Sequence, residues 1–139
     1  MSLAVPQAAA TELQSFLAFD FGQQRTGVAY ASRMLGQAQP QGTVLGGGEA
    51  RWVAIAKHIE QWEPEALVVG VPYHPDGAAH ENTLKAQKFA RQLRARFGLA
   101  VFEVDERYST TEARSQAAVD TDAASACIIL DQFLRSLTS

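Results

Sequence analysis

Ala66-Leu67-Val68-Val69-Gly70-Val71 is an unbroken apolar run of six residues, with Pro64 shortly before it and Pro72 directly after. A strand with one face in water alternates apolar and polar residues; this one does not. It is suited to the interior of a sheet that carries helices on both faces, as in α/β proteins. Proline neither donates to a sheet ladder nor continues a helix, so the flanking prolines mark the limits of the run.

The remaining chain supplies the partners such a strand needs. Phe16 to Phe21 is short, apolar and aromatic and stops at Gly22, the pattern of a buried strand. Gly27 to Ala31 predicts a second strand paired through the intervening turn. Thr43-Val44-Leu45 predicts a third, ending at Gly46-Gly47-Gly48. The period then changes. Trp52, Ile55, Ala56, Ile59 and Trp62 form the stripe of an amphipathic helix, as do Ala86, Phe89, Ala90, Leu93 and Phe97, closed by Gly98. Leu99 to Val104 predicts a fifth strand. A last helix places Ala123, Ala126, Cys127, Leu130, Leu134 and Leu137 on one face. The order β-β-β-α-β-α-β-α predicts a five-stranded mixed sheet flanked by helices, the topology of the ribonuclease H-like fold.

With 139 residues, the chain accommodates one domain, expected over residues 16–139. The Ala-rich leader Met1 to Ser15, without Lys or Arg, is expected to be poorly ordered or loosely docked. No apolar run reaches the length of a membrane span, and no membrane association is expected. A single cysteine forms no internal disulfide and suits a reducing, cytoplasmic setting. The net charge of −3 excludes nucleic-acid binding by bulk positive charge and requires a local patch instead.

Three acidic positions stand out. Asp20 sits inside an apolar strand, where an unpaired carboxylate costs several kcal/mol to bury. It reads either as a cap on the Gly22 turn or as a functional acid. Asp105-Glu106-Arg107 follows the last strand, where open sheets place their sites; a capping box from Ser109 to Glu112 would leave these three unexplained. Asp122, at the mouth of the last helix, reads as a cap or as a third acid. In this topology the three can converge on one edge of the sheet. Crowded carboxylates repel unless a cation lies among them, and their hard oxygens suit Mg²⁺ or Mn²⁺. Two such ions would support phosphodiester hydrolysis.

Asp20-Phe21-Gly22 with Gly27-Val28-Ala29, Val69-Gly70-Val71-Pro72 with Asp76-Gly77, Asp105-Glu106-Arg107 with Ser109-Thr110 and Glu112-Ala113, and the ending Asp122 to Leu130 together resemble the YqgF/RuvX family in order and spacing. The resemblance runs from about Phe16 to Leu134. It implies a ribonuclease H-like nuclease that acts on the 5′ end of precursor 16S ribosomal RNA or, alternatively, on branched DNA as a Holliday junction resolvase. Asp20, Glu106 and Asp122 become the implied metal-binding and catalytic acids, with Asp105 in reserve. The chain departs from the family between Arg114 and Asp122: a longer, Gly-rich loop that often carries Lys is replaced by Ser115 to Thr121, which has no basic residue.

Phosphate contacts are therefore expected from elsewhere. Arg25 and Arg107 adjoin the acids. Lys85, Lys88 and Arg91 belong to a helix with five cations in twelve residues, which also reads as a solvated face. His74 and His80 are loop residues with a substrate contact as one reading. Tyr108 and Cys127 are expected to pack, and the two tryptophans belong to helix stripes. Two other classes remain open. An Asp-x-Gly turn also holds phosphate in actin-like ATPases, which need a second lobe this chain lacks the length for. A non-catalytic nucleic-acid or ribosome-binding module could retain the same acids for folding. A monomer suits RNA trimming, whereas paired cuts at a junction require a homodimer.

Overall fold

The computed structural model describes residues 12–106 and 121–137. Five strands, β1 (Ser15–Asp20), β2 (Arg25–Ser32), β3 (Gln39–Leu45), β4 (Ala66–Val71) and β5 (Ala100–Asp105), form one sheet in the order β3-β2-β1-β4-β5. Three helices accompany them: α1 (Gly48–Trp62), α2 (Glu81–Phe97) and α3 (Thr121–Ser136). The first three strands form an antiparallel meander, and β1, β4 and β5 run parallel. This is the mixed sheet with α/β connections expected from the sequence. Every residue of β4 is buried.

Strand alternation divides the core in two. Leu17, Phe19, Val28, Leu67, Val69 and Val101 face one way, against Trp52 and Ile55 of α1 and Ala86, Phe89 and Leu93 of α2. Phe16, Ala18, Ala29, Ala31, Val68, Phe102 and Val104 face the other way, against Ala126, Ile129, Leu130 and Phe133 of α3. Phe133 lies with its ring centroid 5.2 Å from those of both Phe16 and Phe102. On the opposite layer, Trp62 stacks on Tyr30 at 4.3 Å, and Trp52 on Phe89 at 5.5 Å.

Several boundaries differ from expectation. β3 begins at Gln39, because an edge strand tolerates Pro40 and a bulge opposite Val28 and Ala29 absorbs the irregular run. α1 ends at Trp62 as expected ahead of Pro64, with Glu63 as its left-handed C-cap at φ 47°. The buried face of α3 is centred on Ile129, Leu130 and Phe133 rather than on the Cys127–Leu134 side, and Cys127 is only partly buried. Residues 12–15, placed in the leader by sequence, are tied to the domain: Ser15 opens β1, and Arg33 donates to the carbonyls of Leu13 and Gln14. Residues 1–11 lie outside the described part.

Candidate active site

The parity that sorts the core also assembles the acids. On β1, Phe16 and Ala18 face α3, so Asp20 at the strand end projects to that side. On β5, Phe102 and Val104 face α3, and Glu106 continues the same alternation one residue past the strand. Its N–H donates to the Val71 carbonyl, extending the β4–β5 ladder and fixing its backbone. Asp105, one residue earlier, starts from the opposite face. Asp122 arrives in the first turn of α3.

Two glycines on the same parity clear the space. A methyl group at Gly27 of β2 would fall 1.8 Å from the Asp122 carbonyl oxygen, so only glycine lets the start of α3 lie on the sheet. A methyl group at Gly70 of β4 would fall 2.7 Å from Glu106 Oε2 and 2.3 Å from Ile129 Cδ1. The Glu106 carboxylate therefore occupies the gap that Gly70 leaves.

The electrostatics follow from burial. Asp20 is pushed up from an ordinary 3.8 to about 7, by desolvation first and the Asp122 carboxylate second, against a lowering hydrogen bond from Ser125. Glu106, which is 8% exposed, is pushed up from 4.5 to about 8 by desolvation, then by Asp20 and Asp105. Asp20 thus feels both other acids. Its partner Ser125, one turn beyond Asp122, was missed in the sequence; its helical spacing from Asp122 was the available signal.

The turn after Asp20 is held by Arg51, which is buried and donates to the carbonyls of Gly22, Gln23 and Gly46. Asp122 Oδ2 accepts from Arg25 Nε at 2.6 Å and from Thr43 Oγ1 at 3.5 Å. Arg25, expected to meet phosphate, is therefore engaged with an acid of the cluster. Among the described residues no three His, Cys, Asp or Glu side chains form a ready-made metal-binding group, which is consistent with Asp122 being turned towards Arg25.

The other candidates lie farther out. Lys85 pairs with Glu81 at 2.9 Å, and Lys88 and Arg91 are exposed along α2. His80 caps α2, with Nδ1 accepting from the Asn82 N–H, so its role is structural. His74 lies with its ring 4.7 Å from that of His80. Arg107, Tyr108, Ser109, Glu112 and the Ser115–Asp120 part of the shortened loop lie outside the described residues. The Cys127 thiol is pushed up to about 11 by burial and by Asp131, so it is not a nucleophile.

A metal fits this donor set. Buried carboxylate oxygens that raise one another's proton affinity present hard ligands to a missing positive charge. The residues able to hold it are Asp20 and Glu106, with Asp122 once released from Arg25.

Comparison with known proteins identifies the family. The protein described as "Putative pre-16S rRNA nuclease" from Polaromonas sp. is 65% identical over 137 residues, covering 99% of both chains. Its namesake from Albidiferax ferrireducens is 63% identical over 132 residues, covering 95% of this chain and 85% of the relative. Among solved structures, T. thermophilus RuvC in complex with Holliday junction substrate superposes with a TM-score of 0.58 at 14% identity, over 90% of this chain and 96% of RuvC, a likeness of fold. Residues 14–136 match the family described as RuvX, Holliday junction resolvase, and the chain belongs to that family.

Proposed function

We propose that the protein is a metal-dependent nuclease that hydrolyses phosphodiester bonds in the 5′ maturation of precursor 16S ribosomal RNA. The observation that carries this reading is the convergence of Asp20 and Glu106, with Asp122 beside them, at the carboxyl edge of the parallel strands. The names carried by relatives of 63–65% identity support ribosomal RNA as the substrate, while the family description keeps branched DNA as the alternative.

When bound, a pair of divalent ions, Mg²⁺ or Mn²⁺, activates water and stabilises the leaving oxygen. Asp20 and Glu106 would hold the ions through buried carboxylate oxygens. Ser125 orients Asp20 through its hydroxyl, and the gap at Gly70 keeps Glu106 in place. Arg25 holds Asp122 through their 2.6 Å ion pair, and its guanidinium would be free to meet a substrate phosphate if a metal took Asp122. Arg107 adjoins Glu106 in sequence and serves the same phosphate, while Lys85, Lys88 and Arg91 extend the path along α2. Trimming one RNA strand needs no second copy, so a monomer suffices. No helix of the described residues is long and apolar enough to cross a membrane, and the single cysteine suits the cytoplasm.

The direct test offers purified protein a precursor 16S ribosomal RNA and a four-way DNA junction side by side, with Mg²⁺ or Mn²⁺ and an Asp20→Asn control. Metal-dependent cleavage of the RNA, lost in the variant, is expected. Cleavage of the junction alone would favour resolution. Cleavage of neither would leave a binding module.

A further inference from the structure

A cavity of about 360 Å³ opens between the β1–β2 turn and the start of α2, lined by Phe21, Gly22, Gln23, Pro72, Asn82 and Glu106. We propose that it is a nucleotide subsite, seating the base and sugar next to the scissile phosphate. The description of that phosphate as scissile rests on the nuclease reading above; the cavity's fitness for a nucleotide does not.

Glu106 belongs both to the acid cluster and to the cavity wall, so a group filling the cavity lies directly beside the proposed cleavage centre.

The chemistry of the wall also suits a nucleotide. Among the described residues it joins two apolar surfaces, Phe21 and Pro72, to two carboxamides, Gln23 and Asn82, and includes no cationic side chain. A base presents an apolar face together with an edge of mixed donors and acceptors, and a carboxamide offers one of each. The Gln23 and Asn82 side chains are both exposed, and neither makes a hydrogen bond to another described residue. They are available to a ligand at no internal cost. The volume lies within the roughly 300–1,000 Å³ typical of small-molecule sites.

The walls are rigid. Phe21 packs on Phe89 with ring centroids 4.7 Å apart, and the Arg51 guanidinium stands 4.7 Å from its centroid. Arg51 also pins the carbonyls of Gly22 and Gln23. The Pro72 carbonyl accepts from Thr83 Oγ1, and Asn82 is anchored through its N–H to His80. Each wall is fixed by a separate interaction, so the cavity is preformed and little ordering opposes binding.

The test separates binding from cleavage. ¹⁵N-labelled full-length protein is titrated with AMP, GMP, CMP and UMP without divalent metal, and with inorganic phosphate as the control. Amide shifts centred on Phe21, Gln23 and Asn82 are expected with the nucleotides and not with phosphate. Gln23→Ala and Asn82→Ala should each weaken nucleotide binding about three- to tenfold, the scale of one hydrogen bond. In RNA cleavage they should raise KM by a similar factor and leave kcat within about twofold, because such interactions are made equally in ground and transition states. Circular dichroism and thermal melting check that both variants fold. Shifts centred elsewhere, shifts reproduced by phosphate, or variants that bind and cleave with unchanged KM would overturn the subsite. Nucleotide shifts at these three residues in a protein that cleaves no substrate would support the subsite and remove the nuclease reading.

Discussion

Arg25 and Asp122 stand 97 residues apart in sequence and 2.6 Å apart across an ion pair. The pair joins the first residue of β2 to the first turn of α3. It places a cation against one of three acids while the other two, more deeply buried, keep raised proton affinities. Arg25 would thus compete with a metal for Asp122.

Arg25→Ala should therefore tighten metal binding. The guanidinium side chain is 61% exposed, so the pair contributes about 1 kcal/mol or less to stability, and the melting temperature should barely change. The concentration of Mg²⁺ or Mn²⁺ giving half-maximal thermal stabilisation should fall several-fold. A rise in that concentration would show that Arg25 prepares Asp122 for the metal instead of competing with it.

The raised acids make metal-free stability depend on pH in a definite direction. Between about pH 4 and 8 folded Asp20 and Glu106 retain protons that the unfolded chain, at 3.8 and 4.5, has released. The native state binds more protons there, so stability falls as pH rises through this window and levels off once both acids ionise. Asp20→Asn removes part of the loss. It should be more stable than wild type by roughly 1–3 kcal/mol at pH 8 and nearly equal to it at pH 4, by denaturant titration in EDTA. The same variant should lose cleavage by roughly 10²-fold or more, the scale of a positioned catalytic group. A variant less stable than wild type at pH 8 would contradict the crowding of the acids.

The two glycines should separate by what they touch. Gly27→Ala drives a methyl into the Asp122 backbone, which can move only with α3. Gly70→Ala meets the side-chain ends of Ile129 and Glu106, which can yield in part. Overpacking of this kind costs about 1–3 kcal/mol, with Gly27→Ala at or above the upper end and Gly70→Ala towards the lower. Gly70→Ala should still lose activity, because Glu106 must leave its place. Chemical denaturation paired with single-turnover rates decides the ranking, and full activity in Gly70→Ala would mean that Glu106 does not act from the gap.

Element order was legible because each period change marks a real change of environment: Ala66–Val71 is buried throughout, and the Trp52–Trp62 stripe packs on the sheet. The start of β3 was not legible, since Gln39-Pro40-Gln41-Gly42 resembles a turn until an edge position makes its unpaired groups harmless. The arc of α3 was ambiguous because Ala123 to Leu130 is nearly all small or apolar, and burial of Ile129 and Phe133 depends on which strands lie beneath. Asp20 was visible as a charge in an apolar strand. Arg51 was not, because its acceptors are carbonyls at Gly22, Gln23 and Gly46 that only the fold brings together. The same holds for Ser125, Gln23 and Asn82, ordinary polar residues in sequence that gain their meaning from neighbours across the sheet edge.

Nucleic-acid binding should be weak, reduced by salt through only a few phosphate pairings, and tightened by divalent metal. The net charge of −3 provides no general attraction, and the acid cluster repels phosphate until a metal reverses the local field. Lys85 shares its charge with the exposed Glu81, so Lys85→Ala should reduce affinity less than loss of either neighbouring cation on the path. Lys88 and Arg91 are exposed three residues apart on α2 and so lie on one side of the helix. Lys88→Ala and Arg91→Ala should each reduce the slope of log affinity against log salt by about one, the value for a single phosphate left without its cation. Arg107→Ala should instead lower the single-turnover cleavage rate more than either, because Arg107 follows Glu106 directly in sequence. Fluorescence anisotropy with Ca²⁺ measures the binding arm, and cleavage with Mg²⁺ at fixed ionic strength measures the other. Greater loss of turnover in Lys88→Ala than in Arg107→Ala would move the reacting phosphate away from Glu106 and onto the α2 face.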